Sequence, residues 1–206
     1  FSRPGPLTGR KALVTSGPTH EPLDPVRFIG NRSSGKQGHA IALALARQGA
    51  EVTLVTGPVT LPDPVSVKTV HVKTARDMLA ACEKALPVDI AVCAAAVADW
   101  RPVKEVREKM KKGKGKPALD LAENPDILAA LAQAGKKRPR LVIGFAAETN
   151  NMIALASEKF ERKKCDWILA NEVGEGKGFS EDDNELILLR RAAKGKVKPE
   201  IWPRQS

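Results

Sequence analysis

The chain has 206 residues, of which 42% are hydrophobic and 28% charged, a balance that excludes a disordered or low-complexity protein and predicts one domain with a sizeable core. No apolar run is long enough to span a bilayer, no signal-peptide pattern is present, and three scattered cysteines (Cys82, Cys93, Cys165) form no C-x-x-C pair, so a reducing cytoplasm without a membrane partner is expected. The net charge of +10 asks for an anionic partner, yet with no tyrosine and 4% aromatics the chain lacks the stacking platforms of a single-strand binder, which favours phosphorylated small molecules over nucleic acid.

Residues 1–10 read as a polar, proline-containing lead-in, and Phe1 in place of Met reads as a cut from a longer chain. Residues 11–16 form a short apolar strand stopped by Gly17-Pro18, and a loop rich in proline and charge follows over 19–27. A short apolar segment at 26–29 precedes a helix over about 34–48, closed by the C-cap signal Gly49. Strands are expected at 51–56, stopped by Gly57-Pro58, and at 67–72; Thr74 then opens a helix to about 86, with Asp77 three residues on in a capping pattern. The nearly continuous apolar run 89–97 suits a parallel strand covered on both faces. After the lysine-rich stretch 104–116, Asn124-Pro125 opens a helix over 126–133, a fifth strand covers 141–146, a helix 152–164 and a sixth strand 167–170. An alternating segment at 185–191 and a last one at 197–202 are predicted to make a hairpin through Lys194-Gly195. Alternation of strands and helices at this spacing predicts an α/β fold: a Rossmann-like, doubly wound, mostly parallel sheet with a late strand-rich segment. Its ligand belongs outside the carboxyl ends of the strands, where Gly17, Asp99 and Phe145 fall.

Gly30-Asn31-Arg32-Ser33-Ser34-Gly35-Lys36 spells the skeleton of a Walker A loop, but Gln37 stands where the magnesium-holding hydroxyl is required. Small residues and amides at a helix start nonetheless suit an oxyanion or phosphate. A nicotinamide-dependent reductase is disfavoured because Gly17-Pro18-Thr19-His20-Glu21 is not G-x-G-x-x-G, and the second strand ends in Thr56-Gly57 without an acid for the ribose. That reductase and a basic RNA-binding module stand as the alternatives.

The segments in combination are more specific. Gly17-Pro18-Thr19-x-Glu21, Asp24-Pro25-Val26-Arg27, Asn31-x-Ser33-Ser34-Gly35-Lys36-x-Gly38, Ala95-Ala96-Val97-Ala98-Asp99-Trp100-Arg101, Glu108-Lys109-Met110-Lys111-Lys112, Asn124-Pro125-Asp126-Ile127 and Gly144-Phe145-Ala146-Ala147-Glu148-Thr149-Asn150 follow one another in order. This set closely resembles the bacterial phosphopantothenate–cysteine ligase family of coenzyme A biosynthesis, over about residues 11–189. The resemblance implies a CTP-dependent, magnesium-requiring ligation of 4′-phosphopantothenate with L-cysteine through an acyl-cytidylate, releasing pyrophosphate and then CMP. It implies a homodimer built near residues 172–202, and a fusion in the full-length chain to a flavin-dependent decarboxylase whose FMN does not belong to this chain.

Residue by residue, the resemblance places Asn31 by the acyl intermediate, where its amide stabilises developing charge, and Arg27 on the phosphate of phosphopantothenate, with Ala96 also on that substrate. Ser33, Ser34 and Gly35 would meet the CTP phosphates, Gly17 would also contact the nucleotide, and backbone groups of Cys93, Ala94 and Ala95 would meet the cytosine. Asp99 would contact the nucleotide directly or through a cation. Lys109 would sit at the base of a mobile lid over 104–116, whose Gly113-Lys114-Gly115-Lys116 favours a flexible loop. Asn124, Pro125, Asp126 and Ile127 would supply helix-start donors, Phe145 would pack near the nucleotide, and Lys159 and Lys163, on one helix face, would meet the triphosphate. Each has a plainer reading: a capping Asn31, a turn-capping Asp99, a core Phe145, solvated lysines. The departures from the family pattern (Arg32 for a frequent His, Gln37 for Met, Trp100 for Tyr, Met110 for Ile) remove no assigned chemical group.

Overall fold

The computed structural model describes residues 5–111, 118–148, 151–172, 184–191 and 197–205. In chain order the elements are β1 (Lys11–Ser16), β2 (His20–Pro22), β3 (Phe28–Gly30), α1 (Lys36–Arg47), β4 (Glu51–Thr56), β5 (Lys68–His71), α2 (Ala75–Ala85), β6 (Ile90–Cys93), β7 (Trp100–Pro102), β8 (Leu121–Glu123), α3 (Ile127–Ala132), β9 (Leu141–Glu148), α4 (Met152–Lys163), β10 (Trp167–Glu172), β11 (Asn184–Arg191) and β12 (Val197–Gln205). Eight strands make one sheet in the order β12-β11-β10-β9-β6-β1-β4-β5. The six strands from β10 to β5 are parallel, and β11 and β12 extend the β10 edge as an antiparallel pair. The mostly parallel sheet and the terminal hairpin partners match the expectation; the hairpin's connection at Lys194-Gly195 lies outside the described residues.

Period-two alternation places successive strand residues on opposite faces. Ala12, Val14, Val52 and Leu54 pack with Ala42 and Ala46 of α1 on one face. Leu13, Val55 and Ala91 pack with Met78 and Cys82 of α2 and Leu131 of α3 on the other, continued by Val142 and Ile168 against Ala156 and Phe160 of α4. Both faces of β1 and β4 are therefore apolar, which is why these strands read as near-continuous hydrophobic runs. Fully burying a side chain such as Leu13 or Leu54 contributes about 1.5–3 kcal/mol.

The helix boundaries have local causes. The Thr74 hydroxyl accepts from the Asp77 amide at 3.2 Å while the Asp77 carboxylate accepts from the Thr74 amide at 3.0 Å, so the expected capping box starts α2. At the end of α1, Gly49 takes φ 93°, a left-handed turn that glycine adopts without strain.

Five expectations change. The apolar run 89–97 is a strand only to Cys93, because beyond it the chain leaves the sheet and its amides find other partners. The loop over 19–27 contains β2, which pairs with β3 as a two-stranded hairpin (His20 opposite Gly30), and β7 pairs with β8 in a second one. Helix α1 starts at Lys36 rather than Ser34. The lead-in is packed: Leu7 joins the α1 core and its amide donates to the Gln48 carbonyl at 2.9 Å. Phe145 lies inside the eight-residue β9, not at a strand end.

Candidate functional site

Strand β1 is an interior strand where the winding reverses: the chain leaves it through α1 to β4 on one side and returns as β6 on the other. That reversal opens a crevice at the carboxyl ends of β1 and β6, the place where open α/β sheets bind ligands. Gly17 turns the chain out of β1 at φ 71°, and pairing resumes as an isolated parallel bridge between Pro18 and Ala96.

The strip 94–98 past β6 forms one wall. Its amides are used internally: Ala94 donates to the Thr15 carbonyl (3.2 Å), Ala95 to the Thr15 hydroxyl (3.3 Å) and Ala96 to the Gly17 carbonyl (2.9 Å). Of the backbone groups expected to face a base here, the amides of Ala94 and Ala95 are thus already paired. Ala94 and Ala95 present carbonyl oxygens, which accept no backbone hydrogen bond among the described residues. Three side chains from separate segments then pin the strip. The Asn31 amide donates to the Val97 carbonyl (2.9 Å), the Asn124 amide to the Ala98 carbonyl (2.8 Å), and the buried Thr19 hydroxyl accepts from the Ala98 amide (3.0 Å). Asn31, Ala96 and Asn124, far apart in sequence, meet here. Cys93 is packed into the core between α2, α3 and α4, and burial pushes its thiol well up, so its side chain is not a nucleophile. Ile127 is likewise a core side chain.

The start of α1 is the opposite wall. Gly35 has φ 77°, and a Cβ there would approach the Val59 side chain to 2.8 Å and the Gly17 backbone to 3.5 Å, so the two glycines allow close approach of two chain segments. The Ser33 and Ser34 hydroxyls accept from the amides of Gly35 (3.3 Å) and Lys36 (3.4 Å). The buried Ser16 hydroxyl donates to the Gly35 carbonyl (2.9 Å), and the His39 Nδ1 lies 3.0 Å from both. The Walker skeleton dissolves in this geometry. Gly30 ends β3 and pairs with His20, and a whole hairpin lies between β1 and α1, so no phosphate loop wraps from strand to helix.

The start of α3 closes a third side. Asp126 caps it, accepting from the Ala129 amide at 3.0 Å, and forms an ion pair with Lys163 of α4. Burial works to raise the Asp126 carboxyl, but Lys163 and the Ala129 amide outweigh it and hold the group below its usual range. Lys159 lies one turn earlier on α4, close enough for its charge to be felt at Cys93. Phe145 packs with the α1-side core. Asp99 is exposed at the mouth, its carbonyl accepting from the Asn124 amide at 2.8 Å.

Arg27 and Lys109 form the outer edge. The Arg27 guanidinium is held by Asp24 and by the carbonyl of Met110, so the two predicted residues are joined through the neighbour of one of them. Lys109 is exposed; residues 112–116 of the expected lid lie outside the described residues. Sequence reasoning gave no role to Ser16, Thr19, Glu21 and Asp24, although the last three stand in the quoted motifs; all are buried polar residues at or just past β1. Only Asp24-Pro25 carried a local signal, that of an Asx-turn. Among the described residues no group of three His, Cys, Asp or Glu side chains is placed to hold a metal, and no helix is long and apolar enough to cross a membrane.

Comparison with known proteins is consistent along the chain. A family model described as the DNA/pantothenate metabolism flavoprotein C-terminal domain matches residues 7–203. The sequence is 48% identical over 197 residues to the coenzyme A biosynthesis bifunctional protein CoaBC of Mycobacterium tuberculosis, covering 90% of this chain and 47% of that protein. Against CoaBC of Vibrio vulnificus it is 44% identical over 192 residues, covering 91% and 48%. The chain therefore spans about half the length of the curated relatives it matches. The crystal structure of the C-terminal domain of CoaBC superposes with a TM-score of 0.74 at 38% identity, covering 94% of this chain and 87% of that one. A DNA/pantothenate metabolism flavoprotein from Streptococcus pneumoniae shares the fold at TM-score 0.76 and 23% identity, covering 94% and 93%.

Proposed function

The chain belongs to the DNA/pantothenate metabolism flavoprotein C-terminal domain family, and from that membership we propose that it is a phosphopantothenate–cysteine ligase. It would join 4′-phosphopantothenate to L-cysteine at the expense of CTP. The observation that carries this reading is the convergence of Asn31, Thr19 and Asn124 on the strip 94–98 at the reversal point of the sheet, within a domain that matches the C-terminal half of CoaBC almost end to end.

In the first step a carboxylate oxygen of phosphopantothenate attacks the α-phosphorus of CTP, the bond to the bridging oxygen breaks, and pyrophosphate leaves. In the second the cysteine amine attacks the acyl carbon, loses a proton, and expels CMP. Such transfers are accelerated by positioning and charge neutralisation. Asn31 spends one amide hydrogen on Val97, and its second amide hydrogen and carbonyl oxygen would serve the acyl group, where charge develops as the amine attacks. The carbonyls of Ala94 and Ala95 suit the exocyclic amine of cytosine and repel the carbonyl that uracil carries there. Lys159 and Lys163 set positive charge beside the triphosphate, and Arg27 holds the substrate phosphate.

The donor set fits a magnesium ion that travels with the nucleotide. Asp99 offers one exposed carboxylate, and such ions complete their shell with phosphate oxygens and water. When bound it would neutralise phosphate charge. The terminal strand β12 leaves Ile201 65% and Trp202 37% exposed at the open edge of the sheet, which supports a homodimer through this segment. The bifunctional character of the CoaBC relatives supports a fusion to a flavin-dependent decarboxylase in the full-length chain, and the free cysteines support a reducing cytoplasm.

The test is pyrophosphate release that requires CTP, 4′-phosphopantothenate and magnesium together, with CMP appearing only when cysteine is added. No pyrophosphate under those conditions, or NADPH fluorescence enhancement in their place, would overturn the proposal.

A further inference from the structure

Asp24 is the most heavily bonded carboxylate among the described residues and has no part in the chemistry described above. Its side chain is completely buried, whereas that of Arg27, three residues on, is 46% exposed. One carboxylate oxygen accepts from the amides of Val26 and Arg27, both at 2.8 Å. The other accepts from Arg27 Nε (3.0 Å), Arg27 Nη2 (2.7 Å) and the amide of Met110 (3.1 Å). The same Nη2 donates to the Met110 carbonyl at 2.7 Å. Met110 is thus gripped at both its N–H and its C=O by one ion pair, across 86 residues of chain. A second stitch, from the Val106 amide to the Leu23 carbonyl at 3.1 Å, lays the segment along the same loop. Arg27 Nη1 makes no hydrogen bond among the described residues and belongs to the half-exposed end of the side chain.

We propose that Asp24 is a positioning residue that couples the anion clamp at Arg27 to the lid segment carrying Lys109. This rests on the ligase reading for the identity of the two ligands, phosphopantothenate phosphate at Arg27 and CTP under the lid. The convergence of Nε and Nη2 on one carboxylate oxygen fixes the guanidinium plane and leaves Nη1 to take the phosphate. The grip on Met110 holds its neighbour Lys109 at a set point on the rim, so the nucleotide does not have to order that backbone itself. An anion on Nη1 stiffens the guanidinium and, through it, both bonds to Met110, so each ligand prepares the site for the other.

The variant is Asp24→Asn, which keeps shape and one acceptor but loses the charge. Two readouts separate coupling from a merely structural role. In steady-state kinetics the KM values for CTP and for phosphopantothenate both rise, on the order of tenfold to a hundredfold as expected for lost hydrogen bonds to a charged group, and saturating phosphopantothenate no longer lowers the KM for CTP. In hydrogen exchange of the ligand-free protein, the Met110 amide exchanges on the order of tenfold faster while β1 and β6 are unchanged. Glu83→Gln, an exposed change on α2 outside the lid, leaves both readouts as in the parent. If Asp24→Asn fails to fold, Met110→Pro removes the gripped amide and is read by the same kinetics and by exchange at Lys109 and Lys111. A lower kcat with unchanged KM values, or unchanged exchange at Met110, overturns the proposal. If the parent itself releases no pyrophosphate, the ligase reading has failed, and exchange at Met110 alone decides the latch.

Discussion

Gly38→Ala tests whether the contact between α1 and β1 sets the geometry of the site. Gly38 lies in the first turn of α1, and a Cβ built on it meets Ser16 Oγ at 2.4 Å, Ser16 Cβ at 2.5 Å and Ser16 Cα at 3.0 Å. Two of these atoms cannot swing away, because Ser16 is a fully buried strand residue tied to Gly35. Restoring ordinary contact requires the helix start to back off by about 1 Å, and overpacking of this kind costs up to about 3 kcal/mol. Alanine returns about 1 kcal/mol through helix propensity. The expected net loss is about 2 kcal/mol, which for a chain of this size lowers the midpoint of thermal unfolding by about 4–8 °C. The same displacement moves Ser33–Gly35 relative to the strip 94–98, and a 1 Å error in a positioned site is expected to reduce pyrophosphate release on the order of 10²-fold. Adding Ser16→Gly removes the two nearest atoms and should restore part of the stability, though not the hydrogen bond to Gly35. A Gly38→Ala protein with the parent's unfolding midpoint and rate would refute this account of why the helix packs so close.

Asn31→Asp keeps the size of the side chain but replaces the amide donor by a negative charge, so product formation with cysteine is expected to fall on the order of 10²–10³-fold; a variant at the parent's rate would remove Asn31 from the mechanism. Thr74→Ala breaks one half of the capping box of α2 and should cost about 1 kcal/mol, read as an unfolding midpoint lower by about 2–4 °C with little change in activity. Burial pushes the thiols of Cys82 to about 12 and Cys165 to about 11. In the unfolded chain these thiols ionise at about 8.5. Below that pH they contribute the same stability at any pH, and as pH rises from there toward the folded values the unfolded state loses protons first and stability falls. Urea unfolding at increasing alkalinity should show the decline, less steeply in Cys82→Ala, and the native protein at about pH 8 should resist iodoacetamide.

Much of the sheet was legible because its strands are local patterns. The runs at β1, β4, β9 and β10 are apolar on both faces, and Thr74 with Asp77, or Gly49 after α1, punctuate helices through contacts within one turn. The short hairpins were not legible. Three residues such as Phe28–Gly30 carry no period, and β3 exists because His20, Glu21 and Pro22 happen to lie opposite. The run past Cys93 failed for the opposite reason: Ala94, Ala95, Ala96 and Val97 look like more strand, but Thr15, Gly17 and Asn31 take their backbone groups instead. Phe145 was misplaced because the strand outlasts its aliphatic core by two residues, Ala147 and Glu148.

The sequence by itself determined the order of the main sheet strands and helices, the α/β class and the residue types that suit a phosphorylated substrate, since periodicity, caps and motif chemistry are properties of neighbouring residues. The tertiary structure alone decided the order of the strands, and with it the reversal between β1 and β6 that makes a crevice. It also decided that Ala94 and Ala95 present carbonyls rather than amides, and that Asp24, an acid given no role of its own in a proline-rich loop, grips Met110. The physical reason is the same in each case: a buried polar group must find a partner, and which partner it finds depends on segments brought together only by folding.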